Sequence, residues 1–252
     1  MTSNDKLARL AGLLYLILWP TTGLWYGTGR SLMTGDAAAT LAHIQASRTL
    51  FEVAILAGAA GFVDYLILGL VFYQLFAPVS RRAASLLLAF VAVSVPVSLA
   101  AVARQIDVLS LLDGAKDLPA LGGDQLQVQV MLMLHGSNNL FLITNIFSGL
   151  WLIPLGWLMF RSGFAPRILY VLLMLGGLFY LLSFAGPVFD THYESSLFAR
   201  IMGIICGIPG VIGEGATGLW LLIRGSRQWK PAAPVGDTRA AAPPRILNQQ
   251  LG

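Results

Sequence analysis

Two carboxylates stand alone inside long apolar stretches of this sequence, where an ionisable group is costly. Asp64 lies in the run that ends at Phe76, and Glu214 lies in the run that ends at Ile223. At 1.5 Å per helical residue they lie roughly 18 Å and 13 Å from those ends, near the middle of a hydrocarbon core about 30 Å thick. Charged groups at that depth are rare and usually functional, so both acids are candidate sites for a proton, a cation or an amine.

A second group of polar residues lies nearer the opposite ends of the second, third and fourth apolar runs. By the same count Asn145 lies roughly 22 Å from the end of its run, and the others lie at roughly 31–38 Å. These others are Glu52, Arg104, Asp107, His135, Asn138 and Asn139. Steps of three and seven residues keep His135, Asn138 and Asn145 on one helix face. Arg104 and Asp107 are one turn apart and can form an ion pair.

Together these residues predict a polar vestibule at the outer surface that narrows towards the two deep acids. Pro209, five residues before Glu214, predicts a bend, and broken helices beside a buried acid form ion sites in transporters. The alternative is a set of interhelical hydrogen bonds and ion pairs that only stabilise the bundle.

The composition places these residues in a membrane protein. The chain has 252 residues, of which 56% are hydrophobic and 11% charged, against about 25% charged in soluble domains. The mean hydropathy is +0.73. The net charge of +4 does not indicate nucleic-acid binding, because the basic residues lie at helix ends rather than in one patch.

Six apolar stretches are long enough to span a bilayer, which predicts an all-α six-helix transmembrane bundle over residues 1–225. The predicted spans are 7–25, 50–76, 83–103, 140–160, 167–188 and 198–223. The third helix is expected to continue towards Leu112, and Gln125–Asn139 either extends the fourth beyond the membrane or breaks from it near Gly136. Residues 226–252 are rich in Pro and Ala and predict a disordered tail.

Lys and Arg residues fall mainly on alternate connections, which predicts the orientation. Eleven lie on the side of the termini and five on the opposite side. Since loops rich in Lys and Arg stay in the cytoplasm, both termini are predicted to be cytoplasmic, with the helical extensions outside.

Several strings of the sequence resemble a bacterial multi-pass membrane family catalogued only as a domain of unknown function. They are Ala8–Leu16, Gly35–Thr40, Gly149–Leu158, Arg161–Arg167, Ile212–Glu214 and Leu219–Gly225. The resemblance covers roughly residues 7–225 and implies a six-helix protein of the bacterial inner membrane. It also implies that His135, Glu214 and the Arg161–Arg167 turn are family features, and it brings no known reaction, ligand or partner.

Three functions remain open from the sequence. The favoured one is binding or transport of a small molecule or ion through an outward-facing polar cavity. The second is a structural or partner-binding role. The third is an intramembrane zinc hydrolase that uses His135, His192 and an acid such as Glu52 or Asp107.

Nucleotide-binding and nucleophile motifs are missing from the sequence, so an enzyme is not favoured and no cofactor is predicted. The expected partners are the lipid bilayer and a small-molecule or cation ligand, with no oligomeric state assigned.

Overall fold

The computed structural model describes residues 3–114, 122–163, 165–190 and 192–225, and no β-strand occurs in these ranges. The helices are α1 (Ser3–Leu32), α2 (Ala37–Ala46), α3 (Arg48–Phe76), α4 (Arg81–Gly114), α5 (Gly123–Ser162), α6 (Arg167–Phe189), α7 (Leu197–Met202) and α8 (Ile208–Arg224). The π-helical turn Gly203–Gly207 joins α7 to α8. The tail predicted over residues 226–252 lies outside the described residues.

Six helical segments are long and apolar enough to cross a membrane, which confirms the predicted six-helix fold. They are α1, α3, α4, α5, α6 and the combined segment from α7 to α8. Large apolar side chains point away from the bundle on these segments, as at Leu56, which is 70% exposed, and Ile223, which is 66% exposed. Such surfaces require hydrocarbon around them, so the chain is a multi-pass membrane protein.

The six spans form a closed ring in chain order. Helix α1 contacts α3, each span then contacts the next along the chain, and α8 returns to contact α1. We call the end of the ring where α1 begins the proximal end, and the end where α1 finishes the distal end. Short connections between antiparallel neighbours produce this order.

Aromatic side chains fill the proximal half of the ring. Trp151 of α5 packs edge-on against Tyr15 of α1 and Tyr65 of α3, with ring centroids 5.8 and 5.2 Å apart. In the distal half Trp25 packs against Phe62 and Phe141 at 5.3 and 5.1 Å. In lipid the hydrophobic effect does not drive helices together, so their association depends on close packing. Edge-to-face contacts between aromatic rings strengthen this packing.

Two spans are longer than the sequence indicated. Helix α1 continues past Trp25 to Leu32. Helix α5 runs unbroken for 40 residues through Gly136, so of the two possibilities that the sequence left open the continuous extension is found and the break near Gly136 is wrong. Tertiary packing explains the continuity of α5. Its extension buries Leu134, and the Ser137 hydroxyl donates to the Ala101 carbonyl of α4 at 2.8 Å.

The last span is interrupted as its proline suggested. The sequence predicted one helix over 198–223, whereas the structure has α7, the π-helical turn and α8, with Pro209 near the start of α8. Proline lacks the N–H that an α-helix needs at this point, so the preceding turn widens. The interruption lies at the distal end, beside the candidate site.

Candidate functional site

A cavity of about 890 Å³ opens in the distal half of the ring between α1, α5, α6 and α7. Its volume falls in the range of small-molecule sites, roughly 300–1,000 Å³. The polar residues among those that line it are Tyr26, Arg30, His135, Asn138, Asn139, Asn145, Tyr180, Ser183, Tyr193 and Arg200. We call this space the distal cavity.

A close crossing of α5 and α6 forms the floor of the distal cavity. A Cβ atom on Gly177 would lie 2.9 Å from the Gly149 carbonyl oxygen, so only glycine lets these two backbones approach so closely. Asn145 lies one turn from Gly149 on the distal side, and Tyr180 lies one turn from Gly177 on the distal side. Both residues line the cavity, which therefore begins about one turn distal to this crossing.

The face of α5 proposed from the sequence lies along the distal cavity. His135, Asn138 and Asn145 all line it, at the spacing that places them on one helix face. The Asn138 amide donates to the Met33 sulfur at 3.4 Å, which is a weak acceptor. Within the described part of the chain, His135 and Asn145 make no side-chain hydrogen bond, so their donors and acceptors are available to a molecule in the cavity.

Helix α1 and the segment after α6 supply the mouth of the cavity. The Arg30 guanidinium donates from Nη1 to the Tyr26 hydroxyl at 2.9 Å and lies 5.7 Å from the centre of that ring. Partial burial raises the pKa of the Tyr193 phenol, so this hydroxyl stays protonated at neutral pH and can donate.

Glu214 lies below the floor rather than in the cavity itself, and its side chain is buried with the residue 5% exposed. The Tyr15 hydroxyl donates to Oε2 at 3.0 Å, and the Tyr180 hydroxyl donates to Oε1 at 3.2 Å. We call Glu214, Tyr15 and Tyr180 the Glu214 cluster.

Helix direction explains how Tyr180 reaches Glu214. Side chains lean towards the N-terminus of their own helix. Helices α6 and α8 are antiparallel neighbours, so the two side chains lean towards each other past the crossing of Gly176 and Gly210. Tyr180 therefore lines the cavity on one side and binds the buried carboxyl group on the other, and it connects the two.

Asp64, the other deep acid, joins neither the distal cavity nor the Glu214 cluster. It is half-buried on α3, one turn from Gly61, which packs against Thr21 of α1. Its Oδ2 is buried without a hydrogen-bond partner among the described residues. The sequence predicted a vestibule that narrows towards both acids. In the structure the distal cavity is connected only to Glu214, through the hydrogen bond from the lining residue Tyr180.

The remaining predicted site residues lie elsewhere at the distal end. Arg48 binds Asp113 through two hydrogen bonds of 2.8 Å and Glu52 through a third of 2.8 Å, which ties the distal ends of α3 and α4 together. Arg104 and Asp107 form the expected ion pair at 3.6 Å on the exposed face of α4. Among the described residues, Glu52, Arg104 and Asp107 do not line the distal cavity.

The histidines do not converge on a metal site in the described part of the chain. His43 lies on α2, His135 on α5 and His192 in the connection before α7. Among the described residues, no group of three His, Cys, Asp or Glu side chains could hold a metal ion. The zinc-hydrolase hypothesis therefore has no ligand set among these residues.

Sequence reasoning missed the tyrosines of the Glu214 cluster. A tyrosine in the middle of a span carries a hydroxyl that needs a partner at a depth without water. Tyr180 lies 13 residues from Arg167, the start of α6, roughly 20 Å along the helix. The depth of Tyr180 could therefore have predicted a hydrogen-bond partner for its hydroxyl.

Comparison with known proteins identifies a family and nothing narrower. The family model described as Domain of unknown function (DUF4386) matches residues 10–225. No curated protein matches the chain, and no solved structure matches it. The match extends from α1 to the end of α8, and so includes both the distal cavity and the Glu214 cluster. The chain is therefore a member of the DUF4386 family.

Proposed function

We propose that this protein binds a small organic molecule in the distal cavity, from the outer side of a bacterial inner membrane. The observation that carries the proposal is a polar lining with unused hydrogen-bonding capacity, in an open cavity between apolar helices. Polar groups at this depth cost free energy unless they meet a partner. Asn145 has none among the described residues, and a molecule bound in the cavity would supply it.

The orientation follows from the charge distribution. The proximal side carries eleven Lys and Arg residues and the distal side five, which supports cytoplasmic termini and a cavity that faces outwards.

In a Cys206→Ala background, a cysteine introduced by His43→Cys should react with a membrane-impermeant maleimide in intact cells. One introduced by Arg82→Cys should react only after lysis. The reverse pattern would place the cavity on the cytoplasmic side.

Binding in the cavity should depend on Asn145. A compound at 100 times its Kd stabilises its binder by about 2.7 kcal/mol, so thermal melting of purified protein against small organic molecules can reveal ligands. Asn145→Leu removes the amide and keeps the volume, and it should weaken affinity about tenfold, equivalent to about 1.4 kcal/mol.

Two variants control for effects outside the cavity. Ile143→Ala alters the lipid-facing side of α5, where Ile143 is 40% exposed, and Arg104→Ala removes a charge at the same end of the ring. Both should leave ligand affinity unchanged. Equal affinity of the Asn145→Leu variant and the parent would contradict binding at this site.

Transport of the bound molecule is a second candidate, favoured by one observation. Gly203 lines the distal cavity and is also the first residue of the π-helical turn. Such turns often mark functional positions, and movement of α7 about this one would open or close the cavity. Deleting Ile204 would convert the turn towards α-helix. Proteoliposome uptake of an identified ligand should then fall while binding persists, whereas unchanged uptake would exclude the turn as a hinge.

A further inference from the structure

We propose that Glu214 binds and releases a proton, and that this proton passes between Glu214 and the outer solution through Tyr180 and the distal cavity. The inference goes beyond the proposed function, because it assigns a role to a buried group outside the ligand site. It rests on the proposed function in one respect, since the distal cavity must be open to water.

The surroundings of Glu214 support both forms of its carboxyl group. When ionised, it accepts hydrogen bonds from Tyr15 at Oε2 and from Tyr180 at Oε1, at 3.0 and 3.2 Å, which partly replace the water lost on burial. Among the described residues it forms no ion pair, so no fixed cation holds it in the ionised form. When protonated, it carries no charge and its burial costs less free energy.

The other ionisable groups around Glu214 are mainly tyrosines. Tyr15 and Tyr180 come from α1 and α6, which both pack against α8. Tyr65 of α3 packs with Tyr15 on one tryptophan ring of α5, and its hydroxyl is buried without a partner among the described residues. Cys206 of the π-helical turn lies about two turns away along the last span. Phenols are uncharged near neutral pH, so the carboxyl group is the member of the Glu214 cluster that changes charge.

The carboxyl group has a polar connection towards the distal end and a packed apolar layer towards the proximal end. Tyr180 lines the distal cavity, and its hydroxyl donates to Glu214. On the proximal side, Phe72, Leu155 and Leu221 are fully buried. Water occupies polar spaces and not tightly packed apolar ones, so the distal cavity is the route by which protons reach Glu214.

The transfer needs only an exchange of O–H bonds at Tyr180. A hydronium ion in the cavity gives a proton to the phenol oxygen, while the phenol O–H bond that points at Glu214 breaks and its proton bonds to Oε1. Tyr180 stays neutral, the carboxylate becomes a carboxylic acid, and the new phenol O–H points into the cavity. Release of the proton is the reverse. The distance of 3.2 Å from Tyr180 to Oε1 lies within reach of such a transfer.

Time-resolved infrared spectroscopy measures the protonation of Glu214 directly. The full-length protein is reconstituted in phosphatidylcholine membranes at alkaline pH, and a light flash releases protons from a caged acid. The C=O stretch of the newly formed carboxylic acid appears as a positive band. Loss of this band in Glu214→Gln assigns it to Glu214.

Two changes at the cavity test the route of the proton. In a Cys206→Ala background, benzyl methanethiosulfonate attached to Asn145→Cys plugs the floor of the cavity, and Tyr180→Phe separately removes the hydroxyl that relays the proton. Each change should slow the rise of the Glu214 band about tenfold, equivalent to about 1.4 kcal/mol in the barrier. Because the plug leaves Tyr180 in place, it decides the question even if Tyr180→Phe fails to fold.

Two matched changes should leave the rate at the parent value. Tyr15→Phe removes the hydrogen bond to the other carboxyl oxygen and leaves the connection to the cavity intact. The same reagent attached to His43→Cys modifies the exposed surface of α2, outside the cavity lining.

The outcomes separate the inference from the proposed function. If no Glu214 band appears, the proton site is overturned. If the band rises at the parent rate with the plug or with Tyr180→Phe, the route is overturned. Both results leave the proposed function standing. If Asn145→Cys does not react with the reagent, the cavity is closed, and the inference and the proposed function fail together.

Discussion

Replacement of Glu214 by alanine should destabilise the protein by about 2–4 kcal/mol. The substitution removes the acceptor of the Tyr15 and Tyr180 hydroxyls and leaves both without a partner in a buried space. Individual hydrogen bonds between spans contribute only about 0.6 kcal/mol on average, with a maximum near 1.7. The larger loss expected here comes from two orphaned hydroxyls and the empty volume together. Thermal melting in detergent, followed by tryptophan fluorescence, measures it.

The controls separate hydrogen bonding from packing. Glu214→Gln keeps the shape and one acceptor oxygen, so it should cost less than about 1 kcal/mol. In a Tyr15→Phe background, Glu214→Ala should cost less than in the parent, because one of the two hydroxyls is already gone. Equal costs in both backgrounds would show that Tyr15 and Glu214 are not coupled.

Gly210→Ala should strongly destabilise the close crossing of α6 and α8. A Cβ atom on its neighbour Gly176 would lie 2.8 Å from the Gly210 Cα, and one on Gly210 would also overlap the backbone of Gly176. Backbone cannot yield as a flexible side chain can, so α6 and α8 must separate, at a cost of about 1–3 kcal/mol. The separation would also move Tyr180 away from Glu214.

Gly215→Ala on the same helix is the matched control. A Cβ atom there meets nothing within 4 Å, and alanine favours helix over glycine by up to about 1 kcal/mol. This variant should melt at or above the temperature of the parent. If Gly210→Ala melts no lower than Gly215→Ala, the close crossing of α6 and α8 does not exist in the membrane.

The spans could be predicted from the sequence because length and hydropathy alone define them. The order of helices around the ring could not, since lipid and protein interior are both apolar and an all-apolar helix does not mark its inner face. The sequence left the continuity of α5 through Gly136 undecided for a similar reason. It depends on packing against α4, including the bond from Ser137 to Ala101, and a single glycine does not decide it.

The part of the candidate site that one helix supplies could be predicted, because its polar residues lie on a single helix face. His135, Asn138 and Asn145 share a face of α5, and that face lines the distal cavity. The contribution of Arg200 depends on the position of α7 beside the distal cavity, and the coupling of Glu214 to the cavity depends on Tyr180 of a different helix. Both require the tertiary arrangement, which pairs residues far apart in the chain.

The central claim is that an open polar cavity lies above a closed floor. The access of water-soluble and lipid-soluble relaxation agents to three positions on α5 tests it. Spin labels are attached to single cysteines introduced by Asn145→Cys, Ile143→Cys and Leu152→Cys, each in a Cys206→Ala background. A water-soluble nickel complex should increase the relaxation rate of the label at 145. Oxygen dissolved in the lipid should increase the relaxation rate of the label at 143. The label at 152, where Leu152 is fully buried below the floor, should respond to neither. A label at 145 that the nickel complex does not reach would contradict the account.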